Sequence, residues 1–167
     1  MEQIIAGKEE SVKKFKELVH EVNICMFTTI DDHARIFSRP MSTVQVDNDG
    51  NAWFFTNEFS EKIQEVSKDN TVYLIYSHPG KNIYVTVTGT CSIILDKNKI
   101  DELWNPLFKA WFPGGKEDPK LCLVKVVTAE ANYWNSKAGK MGVYFKMLKA
   151  IANREQYKEK DMGKLKL

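Results

Sequence analysis

Apolar positions recur along the first third of the chain in two different rhythms. Val12, Phe15, Leu18, Val19 and Val22 fall three and four apart, which gives one apolar face to an opening helix. NICMFTTI (23–30) then reads as a buried strand that stops at the Asp31-Asp32 turn. RIFSRPMSTVQV (35–46) predicts a second strand, interrupted at Pro40. A proline cannot donate to a ladder, so that position implies an edge or a bulge. Asp47-Asn48-Asp49-Gly50 is a hairpin turn signal, and NAWFFT (51–56) is the return strand.

The pattern then changes period. SEKIQEVSKDN (60–70) predicts a short helix with Ser60 at the N-cap and Ile63 and Val66 facing inward. TVYLIYS (71–77) is a strand, HPGKN (78–82) a turn, and IYVTVTGTCSIIL (83–95) a long alternating strand with a bend or bulge expected at Gly89. Within 97–112, Ile100, Leu103, Trp104, Leu107, Phe108 and Trp111 predict one continuous apolar helical stripe, which Pro106 must kink or split. FPGGKEDP (112–119) is a loop, and KLCLVKVVTAEANYW (120–134) is one last strand or a pair. From Ser136 the chain is helix-compatible to about Ala152. Residues 153–167 then read as a polar, lysine-rich tail, solvated and frayed, beyond a single domain at 1–152. Six strands joined mostly by tight turns, with one short interior helix, predict a largely antiparallel sheet closed wholly or partly into a small barrel.

Composition narrows the function. A chain of 167 residues with 43% hydrophobic and 28% charged residues fills one core, and a net charge of +2 gives no reason to expect nucleic acid. The opening residues are mixed and charged and no apolar run is long enough for a bilayer, so a cytoplasmic protein away from the membrane is expected. Cys25, Cys91 and Cys122 stand singly in apolar stretches, as buried free thiols do, and neither they nor the three scattered histidines have metal-ligand spacing. His33 and His78 sit beside turn residues, as solvated loop histidines.

One stretch carries chemistry. In FFTNEFSEK (54–62) a strand stops at Thr56 and a helix restarts at Ser60. The free N–H groups and positive dipole end of that helix, the hydroxyls of Thr56 and Ser60 and the Lys62 ammonium together suit a phosphate. Lys62 is out of place in a first helical turn unless an anion offsets it; the alternative is a plain N-cap with a solvated lysine. The hairpin centred on residues 48–49 sets Arg39–Ser42 beside Phe55–Glu58, so Arg39 can reach the same anion.

The ordered set Arg39-Pro40-Met41, the turn, F-F-T-N-x-x-S-x-K and the strand pair closing in V-T-G resembles the FMN-binding split-barrel superfamily of pyridoxamine 5'-phosphate oxidase. Trp104–Gly115 (W, then W-F-P-G-G) and Ala131–Trp134 (A-x-Y-W) resemble its general stress protein branch, and the likeness covers roughly residues 10–140. The resemblance implies a six-stranded antiparallel split β-barrel of Greek-key type, homodimeric, with FMN at the interface. The phosphate would sit on Arg39, Ser60 and Lys62 with Thr56 nearby and Glu61 in the same turn, the backbone of Pro40, Met41, Ser42 and Phe55 would line the ring, and Trp134 would stand at the pocket rim. Trp111 is expected in the core or an interface. The oxidase has a second basic residue after the arginine, where Val44 and Gln45 stand here, and an Arg-x-His segment that is missing after Trp134, which argues against genuine pyridoxamine phosphate oxidation. The expected activity is FMN-dependent oxidoreduction of a small molecule, with a reduced nicotinamide as the candidate donor; no catalytic side chain stands out. A flavin carrier or sensor without turnover, or the same barrel holding haem or a deazaflavin, are the alternatives.

Overall fold

The structure, a computed structural model, describes residues 3–4, 7–57, 70–136, 139–155 and 162–167. The elements run β1 (Gln3–Ile4), α1 (Lys8–Val22), β2 (Ile24–Ile30), β3 (Ile36–Val46), β4 (Ala52–Thr56), β5 (Thr71–His78) and β6 (Ile83–Ile94). They continue with α2 (Lys97–Leu103), two 3-10 turns (Pro106–Ala110 and Gly115–Glu117), β7 (Cys122–Asn135), α3 (Gly139–Ala152) and β8 (Met162–Lys166). The predicted helix at 60–70 lies, but for Asn70, outside the described residues.

Six strands close a ring in the order β7-β4-β3-β2-β5-β6, with β6 pairing back onto β7. Every neighbour in the ring is antiparallel. The one long jump, from β4 to β5 across β3 and β2, gives the Greek-key path. Inward residues alternate with outward ones along each strand, as the pleat requires. Phe27, Phe54, Leu74, Tyr76, Val85 and Val124 fill the interior, and Phe15, Leu18 and Val19 of α1 pack into the same cluster. NICMFTTI is thus buried on one face only: Cys25 and Phe27 point in, while Ile24, Met26 and Ile30 remain exposed.

Closure needs a bend, and Gly89 supplies it. Thr88 faces Glu130 while Gly89 faces Thr128, so Ala129 is the extra residue of a bulge. A Cβ at Gly89 would lie 2.6 Å from the Val127 carbonyl oxygen, a contact that only glycine avoids. Pro40 is tolerated for the reason expected of an edge. Ile36–Ser42 pair with β2 on one side, whereas β4 pairs with β3 only at Thr43, Gln45 and Val46, and the bulge falls between Thr43 and Gln45.

The β3–β4 turn is built on Asp47. Its Oδ1 accepts the N–H groups of Asp49 and Asn51 (3.0 and 2.9 Å), and its Oδ2 accepts Asn51 Nδ2 and Trp53 Nε1 (both 3.0 Å). Gly50 takes the left-handed φ of +88° that ends the turn, and its carbonyl accepts Thr128 Oγ1 from β7 at 2.7 Å.

Two sequence expectations change. The stripe over 97–112 is not continuous: α2 stops at Leu103, a 3-10 turn starts at Pro106, and Leu107 and Trp111 are exposed (74% and 70%) instead of packed. Trp111 is therefore no core residue. The end of the chain is not frayed either. β8 pairs with β7 from Glu130 to Trp134, Leu165 is fully buried, and Lys164 is ion-paired with Glu130 at 2.7 Å. The lysines hid a two-residue alternation, Gly163 and Leu165 inward, Lys164 and Lys166 outward.

Leu165→Ala should therefore cost about 2–4 kcal/mol in urea unfolding, as a core truncation does; a frayed tail would show no change. Asp47→Ala should cost about 1–3 kcal/mol at neutral pH through its lost hydrogen bonds. Burial opposes the Asp47 charge, but the donors from Asn51, Trp53 and Asp49 outweigh it and hold the carboxyl below its ordinary value. That contribution is present above the unfolded carboxyl's pKa of about 3.9 and is lost as pH falls through the lower folded value. The gap between wild type and variant should close over that acid range.

Candidate functional site where β3 and β4 part

β3 and β4 leave the turn as a hairpin and then separate. Their ladder ends at Thr43–Phe54, although β4 continues to Thr56 on its other side against β7 and β3 continues to Ile36 against β2. Among the described strands, none pairs with β3 on the β4 side from Arg39 to Ser42. The parting thus leaves two strand edges, Arg39–Ser42 and Phe55–Thr56, along one opening. Extending the last registered pair sets Met41 across from Thr56, as the hairpin count predicted.

The side chains along this opening point in different directions. Met41 is buried in the barrel interior, and Phe55 is buried on the outside among Trp104, Phe108 and Phe112, with ring centroids 5.7, 5.6 and 6.3 Å away. These two present backbone, not side chains, to the opening. Arg39 is half-buried and shares the inward parity of Met41 and Thr43, at the strand end away from the turn. Pro40 and Ser42 face outward. Ser42 Oγ accepts Asn23 Nδ2 at 3.1 Å, and the Asn23 carbonyl accepts Thr43 N–H at 3.0 Å, which fixes β3 against the end of α1. Thr56 is buried and paired with Cys122.

Outside Pro40 lies an apolar ledge that the sequence reading passed over. Met26 stands between Pro40 and Ile75 in register, and Ile24 stands across from Ser42. Its signal was present in the alternation of ICMFTTI, which separates Ile24 and Met26 from Cys25 and Phe27. The ledge and Arg39 occupy opposite faces of β3. Only a ligand seated across the β3 edge meets both.

Ser60, Glu61 and Lys62 lie outside the described residues. Trp134 is not brought to this opening within one chain. It sits on β7 between Tyr84 and Met162, twelve residues past Cys122, the residue of β7 that faces Thr56. That is about 40 Å of extended strand.

The opening holds no activated nucleophile among the described residues. All three cysteines are buried and free. Burial pushes the Cys25 thiol up to about 12, only partly offset by a hydrogen bond from Tyr76, and it raises Cys91 and Cys122 as well. Tyr76 is itself fully buried, with its hydroxyl 2.8 Å from Thr43 Oγ1, and burial raises it well above its ordinary value. No group of three or more His, Cys, Asp and Glu among the described residues is placed to hold a metal ion, and no helix among them is long and apolar enough to cross a membrane.

The sequence profile of a family described as "Pyridoxamine 5'-phosphate oxidase like" matches residues 10–158. Protein bli-3 of Neurospora crassa is 25% identical over an alignment of 135 residues that covers 75% of this chain and 65% of that protein. The chain thus spans less than two thirds of that relative's length. Among solved structures, a protein provisionally named general stress protein 26 from Jannaschia sp. CCS1 superposes with a TM-score of 0.69 at 24% identity, over 96% of this chain and 100% of that one. The general stress FMN/FAD binding protein of Xanthomonas citri superposes with a TM-score of 0.60 at 28% identity, over 77% and 90%.

The thiol environment is testable with 5,5'-dithiobis(2-nitrobenzoate) at pH 8. The native protein should release thionitrobenzoate only slowly, and guanidinium should expose all three thiols at once. A rapid stoichiometric reaction of the native protein would show a reactive cysteine that the burial argument does not permit.

Proposed function

The chain belongs to the pyridoxamine 5'-phosphate oxidase like family, and from that premise we propose that it is a flavoprotein binding FMN across the exposed edge of β3. The observation that carries this reading is the parting of β3 from β4. A flavin needs donors and acceptors along its polar ring edge, an apolar surface against its ring face and cations at its phosphate. The opening offers the backbone of Pro40–Ser42 and Phe55, the apolar rim at Pro40, and the Arg39 guanidinium. Ser60 and Lys62 extend the phosphate seat from the helix start read in the sequence, with Thr56 beside it. One seat for one phosphate favours FMN over a dinucleotide. The name of the Xanthomonas citri protein, an FMN/FAD binding protein, supports the same reading.

A bound flavin supplies one- and two-electron exchange with a small molecule or a reduced nicotinamide. The chain's own part is to orient the ring through backbone groups and to hold the phosphate by charge-assisted hydrogen bonds. Pro40, at the rim of the ledge, borders one ring face, and the rest of the ledge lies beside the ring. The proposed assembly is a homodimer with the cofactor at the interface, because Trp134 can serve as a rim residue only when a second copy presents it. We place the reaction class as oxidoreduction in the cytoplasm.

Purified protein should therefore carry an absorption band at about 450 nm, as flavins in general do, that is released on acid treatment and identified as FMN by mass. A Soret band would instead assign haem. Arg39→Ala should weaken FMN at least tenfold, corresponding to about 1.5–3 kcal/mol for a charge-assisted hydrogen bond, and Lys62→Ala should weaken it similarly. Unchanged affinity in both would mean that the phosphate is held elsewhere. Anaerobic reduced nicotinamide should bleach the band; persistent colour with both nicotinamides would favour a carrier without turnover.

A further inference from the structure

Over its described side chains from 144 to 149, α3 lacks the packing that a helix in a folded chain needs. Residues 144–149 are all exposed, and six consecutive helical residues turn through more than a full circle, so no side of that stretch is covered. Tyr144, Phe145, Met147, Leu148 and Ile151 expose between 42% and 73% of their surface. A helix of 14 residues is marginal by itself in water and depends on a packed face.

A second surface on the same chain is equally bare. The outward positions of β2, β3 and β5 carry no charged residue: Ile, Met, Thr and Ile on β2, Ile, Ser, Pro and Ser on β3, and Thr, Tyr, Ile and Ser on β5. Ile24, Met26, Ile30, Ile36 and Ile75 expose between 39% and 69%. They are contiguous, because Met26 lies between Pro40 and Ile75 in register and Ile30 faces Ile36. Soluble surfaces interleave charges with apolar residues, and an uncharged apolar face of three strands marks an interface.

We propose that α3 of one chain packs across the outer face of β2, β3 and β5 of a second copy, and that the second copy's α3 does the same in return. The inference rests on the homodimer proposed above and names the element that builds it. Three observations favour this occupant. The chain carries both surfaces, so a twofold axis buries both pairs at once and closes the assembly. Ten large, partly exposed apolar side chains are enough to form an interface of the common size, ~800 Å² per partner. Trp134 and the start of α3 at Gly139 are five residues apart, so a segment that brings Trp134 to the partner's β3 edge brings α3 to the adjoining ledge. An anionic membrane fits less well, although the sequence of α3 holds lysines and no acidic residue. Tyr144, Phe145, Met147, Leu148 and Ile151 share one arc of about 160° around the helix, and a membrane would cover that arc alone, whereas a second copy covers both the arc and the bare face of β2, β3 and β5.

The test places a photoreactive p-benzoylphenylalanine at Phe145 in the full chain and pairs it with sedimentation velocity. Wild type should sediment at twice the chain mass at micromolar concentration. Irradiation should give a covalent dimer whose cross-linked peptide falls within Ile24–Ser42 or Thr71–His78. Phe145→Glu with Ile151→Glu should weaken dimerisation at least tenfold while leaving the circular dichroism of the barrel unchanged. A dimer that cross-links elsewhere, or a double variant that dimerises normally, overturns the role of α3 and leaves the homodimer standing. A wild type that is monomeric overturns both. Sedimentation of the wild type, but not of the double variant, with vesicles of phosphatidylserine and phosphatidylcholine in place of dimerisation assigns α3 to a membrane surface instead.

Discussion

The ladder between β6 and β7 is the constraint on which the rest of the barrel depends. It runs from Ile83–Asn135 to Ile94–Leu123 and is the joint that turns an open sheet into a ring. Two strands of this length cannot close a small barrel while straight. Gly89 resolves the conflict because β7 can approach where a Cβ would meet the Val127 carbonyl, and Ala129 bulges out opposite. The length of β7 then does two things on its other flank. Its first residues hold β4, and its last residues hold β8, so the ring and the chain end share one strand.

Closure at that joint lets the ring open at another. β4 spans only Ala52–Thr56 and is fixed to β7 along all five residues, so it follows β7 and cannot also follow β3 along its whole length. The Asp47 turn binds the two strands at one end through four hydrogen bonds, and the bulge after Thr43 redirects β3. Beyond Thr43 the strands separate. Backbone groups that a longer hairpin would have used on each other instead border an opening, and such groups need a partner wherever they are shielded from water. Pro40 fits this geometry, since among the described strands β3 has a neighbour there on one side only.

Much of this was legible in the chain itself. The two-residue alternation found the strands, Asp47–Gly50 found the hairpin, Gly89 found the bulge and Pro106 found the helix break, because each is a local backbone requirement written in one or a few residues. The hairpin count also gave the register that ends at Thr43–Phe54, although not the parting of the strands beyond it. What local pattern missed was decided by distant neighbours. Leu107 and Trp111 have the spacing of a buried stripe, but the shift to a 3-10 turn at Pro106 rotates them outward. The last strand was hidden by its lysines, which sit on its outward side while Leu165 fills the core from a position set by β7. Sequence order also says nothing about which end of a long strand faces an opening on another, so the place of Trp134 far along β7 from Cys122 shows only in the register.

The apolar surface left outside the barrel follows from the same economy of strands. A six-stranded ring has a narrow interior, which Phe27, Phe54, Leu74, Tyr76 and Val85 fill between them. Large apolar residues at the alternate positions must therefore lie outside and need a cover. On β4 and β7 that cover is local: Trp53, Phe55 and Leu123 lie under Leu103, Trp104, Phe108 and Phe112. No comparable layer among the described residues covers Ile24, Met26 and Ile75 on β2 and β5. The side of the barrel with its own cover and the side without one meet along the opening between β4 and β3. A ligand held there would have a protein wall from its own chain on one flank and an uncovered apolar ledge on the other, so whatever covers the ledge also completes the site. Binding and assembly would then be linked, each favouring the other by the same free energy.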